Sequence, residues 1–189
     1  MPRRKRIWMP DHFYHIVCRG NRRDPLFIST DDFQAFFHIL HQLHEEIPFE
    51  LASYCLMTNH FHLQMRSSDV SISKVMSLIN KRYANYYNTK YCLSGHVFEK
   101  RFYDSLIVDL VGMLKVSRYI HLNPVEAKIV KHPEDYPWSS YIFYYDQKRV
   151  RPEYLNMGHV LELYEGSEEE KNRQYCENIW EDDRRLIEK

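Results

Sequence analysis

The chain is short of glycine, with five in 189 residues, and has no low-complexity run; both argue against long disordered segments. It is short of cysteine as well. Cys18, Cys55, Cys92 and Cys176 stand far apart without a C-x-x-C pair, which excludes a zinc ribbon or finger and a dense disulfide scaffold. No apolar window approaches the length of a membrane span. The basic start, MPRRKRIWMPDHF, has no apolar run behind it and so does not read as a signal peptide. These absences lead us to expect a cytoplasmic protein with no membrane partner.

What is present suits a globular fold: 28 % charged and 44 % hydrophobic residues, in a chain long enough to bury one real core. The formal net charge of zero hides an asymmetry. Residues 1–130 carry 17 Lys and Arg against 12 Asp and Glu, while residues 131–189 carry 9 against 14. A basic body with an acidic end fits a nucleic-acid binder whose tail masks that body or meets a partner. Two solvated faces of modest charge give the same numbers.

Periodicity supplies the elements. Residues 13–18 alternate and end at the turn signal Arg19-Gly20-Asn21, predicting a strand. Ser29-Thr30-Asp31-Asp32 offers capping and early acidic residues, and Phe33, Phe36, Phe37, Leu40 and Leu43 recur at helical spacing. That helix should run to about Glu46, with Pro48 closing it. Strands follow over residues 49–56 and 57–66, joined tightly near Thr58-Asn59. Ser71 or Ser73 caps a second helix with Val75, Ile79, Tyr83, Tyr86 and Tyr87 on its apolar face, ending near Asn88. Residues 95–108 read as a loop entering a strand. A third helix from about Asp109 should stop near Asn123, because Pro124 disfavours helical geometry in the residue before it.

The order is that of an α+β, ferredoxin-like antiparallel sheet, β-α-β-β-α-β, with helices on one face and an added helix. We expect one domain over residues 1–145 and an acidic tail over residues 146–189. In that tail Ser167 and Glu170 form a capping box for a helix over about residues 168–186, weakly amphipathic through Tyr175, Ile179 and Trp180.

The chemistry centres on MTNHFHLQM, residues 57–65. Residues two apart on a strand share a face, so His60, His62 and Gln64 line one side while Phe61, Leu63 and Met65 line the other. Two imidazoles one strand repeat apart can ligate a metal, but they are an incomplete set, since a protein site usually offers three ligands. Gln64, or a residue of a helix packed over this face, can supply the third. On the third helix Tyr119 and Asn123 lie four apart and share a face. They can be a phenol and a ligand in one site, or equally a half-buried aromatic and a helix cap.

Four stretches carry a family resemblance: Arg19-Gly20-Asn21, YCLMTNHFHL at residues 54–63, RYIHLNPV at residues 118–125 and YPWSSY at residues 136–141. In this order they resemble the single-tyrosine HUH transposases of bacterial insertion sequences, most closely the REP-associated tyrosine transposases, over about residues 12–145. The resemblance implies a ferredoxin-like fold, His60 and His62 as the metal-binding pair, and Tyr119 as nucleophile. It puts the third metal ligand at Asn123, one turn past the tyrosine, where some members carry glutamine. It also implies Mg²⁺ or Mn²⁺ as cofactor, and a protein acting as monomer or homodimer. The implied partners are single-stranded DNA and DNA hairpins, cut and rejoined through a 5′-phosphotyrosine. Arg22, Arg23, Lys81, Arg82, Lys100 and Arg101 are candidates for phosphate contacts, with Tyr83, Tyr87, Phe98 and Phe102 available to stack on bases. Two other functions keep the same fold: a non-cutting hairpin-binding protein, and a metal phosphodiesterase using activated water.

Overall fold

A computed structural model describes residues 8–181. The basic cluster Arg3, Arg4, Lys5 and Arg6 and residues 182–189 lie outside the described residues. Four strands, β1 (Tyr14–Arg19), β2 (Glu50–Met57), β3 (His60–Arg66) and β4 (Tyr103–Leu106), form one sheet in the order β2-β3-β1-β4. All three pairings are antiparallel. Helix α1 (Thr30–Glu46) joins β1 to β2, and α2 (Ile72–Lys90) joins β3 to β4, giving the expected β-α-β-β-α-β order. Helix α3 (Leu110–Glu126) follows, then the short α4 (Tyr141–Tyr145) and α5 (Gly158–Leu161), and finally α6 (Glu168–Glu177).

The alternation of β3 decides what covers each face of the sheet. Phe61, pointing to one side, packs against Phe36 of α1 with ring centroids 4.7 Å apart, and Tyr83 of α2 meets Phe36 from the same side. Gln64, pointing to the other, donates to the main-chain carbonyl of Met113 in α3 at 3.0 Å. So α1 and α2 share one face, as expected, whereas the added helix takes the opposite face. Buried between layers, β2 has almost no exposed residue, which is why its sequence reads as a continuous apolar run.

Asp32 binds the two helices of the first face together. Its carboxylate accepts from the backbone N–H groups of Ile28 and Ser29 at the start of α1. It also accepts from the Tyr86 and Tyr91 hydroxyls and the Lys90 ammonium at the end of α2. A buried carboxylate without such partners would be costly.

Two departures from expectation have clear causes. Helix α3 does not stop at Asn123 but carries Pro124 inside its last turn. The proline removes only its own N–H from the ladder. The helix then closes through Lys128, at φ 59, and Ile129, whose N–H groups reach the carbonyls of Val125 and Pro124 at 2.9 Å each, the paired bonds of a left-handed C-terminal cap. In the tail, the Ser167/Glu170 capping box is present, but α6 ends at Glu177 instead of running on to residue 186.

The stretch expected as a tail also packs into the sheet domain. Leu51 in β2 donates to the Tyr154 carbonyl at 2.7 Å and accepts from Asn156 N–H at 2.8 Å, while Trp138 and Ser140 bond farther along the same edge. The YPWSSY motif and residues 154–156 thus share the pairing of the β2 edge. Tyr154, Leu155, Met157, Val160, Leu161, Tyr164, Tyr175 and Ile179 are buried in the same apolar cluster as the sheet and α1–α3.

Candidate active site

A cleft lies where the end of β1 pairs with the start of β3, beside α3. In the antiparallel register Val17 faces His62, His15 faces Gln64, and Arg19 faces His60. Alternation on β1 therefore puts His15, Val17 and Arg19 on the same side as His60 and His62. These residues, with Tyr119 and Asn123 of α3 and Glu99, Lys100, Arg101 and Tyr103 of the β4 approach, line the cleft, of about 480 Å³.

The four residues expected to meet do meet. The rings of His60 and His62 are 5.0 Å apart, and the Tyr119 ring stands edge-on to His62 at 5.5 Å. Tyr119 is 45 % exposed, so the residue is not shut into the core as most of the other tyrosines are. Asn123, one turn later, lines the same cleft and acts on the His60 side chain, opposing the lowering of its pKa. Gln64 does not take part: its oxygen accepts from the Ser53 hydroxyl at 2.7 Å and its amide is spent on Met113. It fastens α3 to the sheet.

Both histidines are held by their inner nitrogens. Nδ1 of His60 lies 2.8 Å from the Asn59 side-chain oxygen, and the Asn59 amide points to the Arg23 carbonyl at 3.3 Å, which fixes the oxygen toward His60. His60 therefore donates from Nδ1 and keeps its outer nitrogen as a lone pair. Nδ1 of His62 lies 2.9 Å from Nε2 of His15, and Nε2 of His62 is buried with no hydrogen-bond partner among the described residues. Burial pushes His62 down to about 2, helped by the nearby His15, His60 and Arg19. It also lowers His60, with Arg19 adding to the shift and Asn123 opposing it, and brings His15 to about 4. All three imidazoles are neutral near pH 7, the form that ligates a metal.

Among the described residues no group of three His, Cys, Asp or Glu side chains is arranged to hold a metal ion. The donors that could meet a cation here are two imidazole nitrogens and the Asn123 amide oxygen. The unpartnered Nε2 of His62 and the outer nitrogen of His60, its Nδ1 being taken by Asn59, fit that role, and the partial donor set would leave positions open for a substrate.

The expected phosphate contacts divide by position. Lys100 and Arg101 line the cleft and also a neighbouring groove between α2 and residues 95–102. Arg22 and Arg23 form an exposed turn after β1, both with positive φ. Lys81 and Arg82 lie on α2, the helix of the opposite face, and Arg82 pairs with Glu46 of α1 at 2.5 Å. The structure does not bring them to the site. Of the aromatics, Tyr83, Tyr87 and Phe102 are core; Tyr83 and Tyr87 donate to the backbone carbonyls of Leu26 and Pro25. Helical spacing marked packing there, not base stacking.

Sequence reasoning missed His15, Arg19, Glu99 and Tyr103. The signal for the first two was the alternation of β1, which tells which residues share a face but not which strand lies beside it.

Comparison with known proteins bears on what such a cleft does. The chain matches the family model described as IS200-like transposase over residues 9–123. A putative REP-associated tyrosine transposase of Haemophilus influenzae is 28 % identical over 142 residues, covering 69 % of this chain and 78 % of that protein. A REP-associated tyrosine transposase of Escherichia coli is 25 % identical over 131 residues, covering 68 % of this chain and 75 % of its own. A solved REP-associated tyrosine transposase bound to a REP hairpin has the same fold, with a TM-score of 0.65 at 24 % identity over 79 % of this chain and 87 % of that one.

Proposed function

The chain belongs to the IS200-like transposase family, and from that premise we propose that it cuts and rejoins single-stranded DNA beside a hairpin, with Tyr119 as nucleophile and a divalent metal as cofactor. The carrying observation is the convergence of an exposed tyrosine with two neutral, inwardly anchored imidazoles and an amide in one cleft.

His60, His62 and Asn123 are the residues that would hold the metal. Mg²⁺ or Mn²⁺ bound there supplies positive charge that polarises a non-bridging oxygen of the scissile phosphate. The Tyr119 oxygen attacks phosphorus and gives its proton to solvent. The Tyr119–phosphorus bond forms, the bond from phosphorus to the 3′ oxygen breaks, and that oxygen leaves as a 3′-hydroxyl after taking up a proton. A 3′-hydroxyl attacking the phosphotyrosine reverses the exchange and joins DNA, so no nucleotide cofactor is needed. Lys100 and Arg101, on the rim of the cleft, meet the flanking phosphates. A hairpin as the double-stranded partner agrees with the REP hairpin bound by the similar solved protein.

The test is covalent capture. Incubated with hairpin-flanked single-stranded DNA and Mn²⁺, the protein should yield an adduct that survives denaturation. Tyr119→Phe should lose the adduct and keep DNA binding. Cleavage persisting in that variant would point to activated water, and binding without cleavage across metals would point to a non-cutting binding protein.

A further inference from the structure

We propose that His15 is a positioning residue: by accepting the Nδ1 hydrogen of His62 it holds that imidazole in the one tautomer and orientation that turn the Nε2 lone pair into the cleft. The proposal rests on the metal-dependent reading above and names a residue outside its ligand set.

The argument starts from proton counting. A neutral imidazole carries one hydrogen on its two nitrogens. The His15 Nε2 to His62 Nδ1 contact, at 2.9 Å, is a hydrogen bond, so one hydrogen lies between those nitrogens. If His15 owned it, His62 would carry its hydrogen on Nε2. That would be a buried N–H with no acceptor among the described residues, on the very nitrogen a cation would need. If His62 owns it, Nε2 presents a lone pair there, and His15 carries its own hydrogen on Nδ1. Only the second arrangement makes His62 a ligand.

The placement is diagonal across the sheet. His15 pairs with Gln64 and Val17 with His62, so His15 reaches His62 from a neighbouring row. The two rings stack at 5.2 Å with a 22° tilt, and the Tyr119 ring closes edge-on to His15 at 5.7 Å. His15 thereby touches both the ligand and the nucleophile. His60 is oriented in the same way by Asn59, a different residue type doing an equivalent job. Outer partners of this kind carry weight, typically 10- to 100-fold in metal affinity.

Two substitutions separate the hydrogen bond from the packing. His15→Phe keeps a ring against His62 and Tyr119 but removes the acceptor. His15→Gln loses the ring and offers an amide oxygen at similar reach. Mn²⁺ binding, followed by electron paramagnetic resonance of the free ion, should weaken about 10- to 100-fold in the phenylalanine variant, with most of the loss recovered in the glutamine variant. Hairpin binding in chelator and the thermal midpoint check that both variants are folded. In the metal-free wild type, a long-range ¹H–¹⁵N spectrum should show His62 protonated on Nδ1. Wild-type affinity in His15→Phe, equal losses in both variants, or a His62 protonated on Nε2 each overturns the proposal. Wild-type protein that binds no Mn²⁺, or binds it equally after His60→Ala, removes the metal reading itself. Loss on His60→Ala with none on His15→Phe removes this inference alone.

Discussion

His121 shows how one residue of a motif supports the fold beside the cleft without lining it. It lies two positions from Tyr119, fully buried, with Nδ1 2.6 Å from the Tyr175 hydroxyl of α6 and Nε2 2.8 Å from the Ser140 hydroxyl. Ser117 shares the same tyrosine at 2.9 Å. Burial lowers His121 to about 3, so the folded protein keeps it neutral at pH values where the unfolded chain protonates it. Its contribution is complete above the ordinary histidine value of 6.5 and is lost as pH falls from there toward about 3, at up to ~1.4 kcal/mol per pH unit. His15, lowered to about 4, adds in the same direction over a shorter range. Denaturant unfolding at pH 7, 6 and 5 should show stability falling, with a shallower slope in His121→Gln. Equal slopes in the two proteins would mean that His121 does not enter the fold neutral. At this scale the sequence was informative about His60 and His62, since alternation alone gave them a common polar face. Tyr119 was another matter. With 15 tyrosines in the chain, only the family resemblance separated it from Tyr83 and Tyr87, which the structure places in the core.

Elements were legible where local signals agreed. Helix α1 begins at Thr30 after its Ser29 cap, has Asp31 and Asp32 in its first turn, and runs to Glu46, where the apolar period ends. Pro124 misled, because a proline's local preference yields when the following turn is closed by a left-handed residue and the proline itself is buried. The end of the chain was harder. Helix α6 has a weak apolar stripe, yet Tyr175 is wholly buried among α3, α4 and α6; nothing local identifies a surface made by three distant segments. That burial changes what deletion can teach. From the charge asymmetry, removing everything after Tyr145 should free a masked basic surface. In the folded protein the same cut strips Tyr154, Leu155, Met157, Val160, Leu161, Tyr164, Tyr175 and Ile179 from the core. At about 1.5–3 kcal/mol for each fully buried side chain of this size, the loss rivals the whole net stability of a domain, about 5–15 kcal/mol. The truncated chain should show no cooperative unfolding transition by circular dichroism. A normal transition would make residues 146–189 the separable tail that their charge suggests.

At the scale of the whole molecule, the cleft is assembled from segments far apart in sequence: β1, β3, the β4 approach and α3. Helix α3 is tied to the sheet by Gln64 and to the C-terminal region by Ser117 and His121. Tyr119 is thus carried on a helix tied both to the sheet and to the C-terminal region. Genetics can read that anchorage as a test of complementation. One copy of the chain brings Tyr119 and the histidines together, so on the proposed function two defective copies have nothing to lend each other. Mixing His60→Ala protein with Tyr119→Phe protein should leave the DNA uncut at any ratio. Recovered cleavage in the mixture would mean that copies exchange the tyrosine helix and that a working cleft is shared between chains.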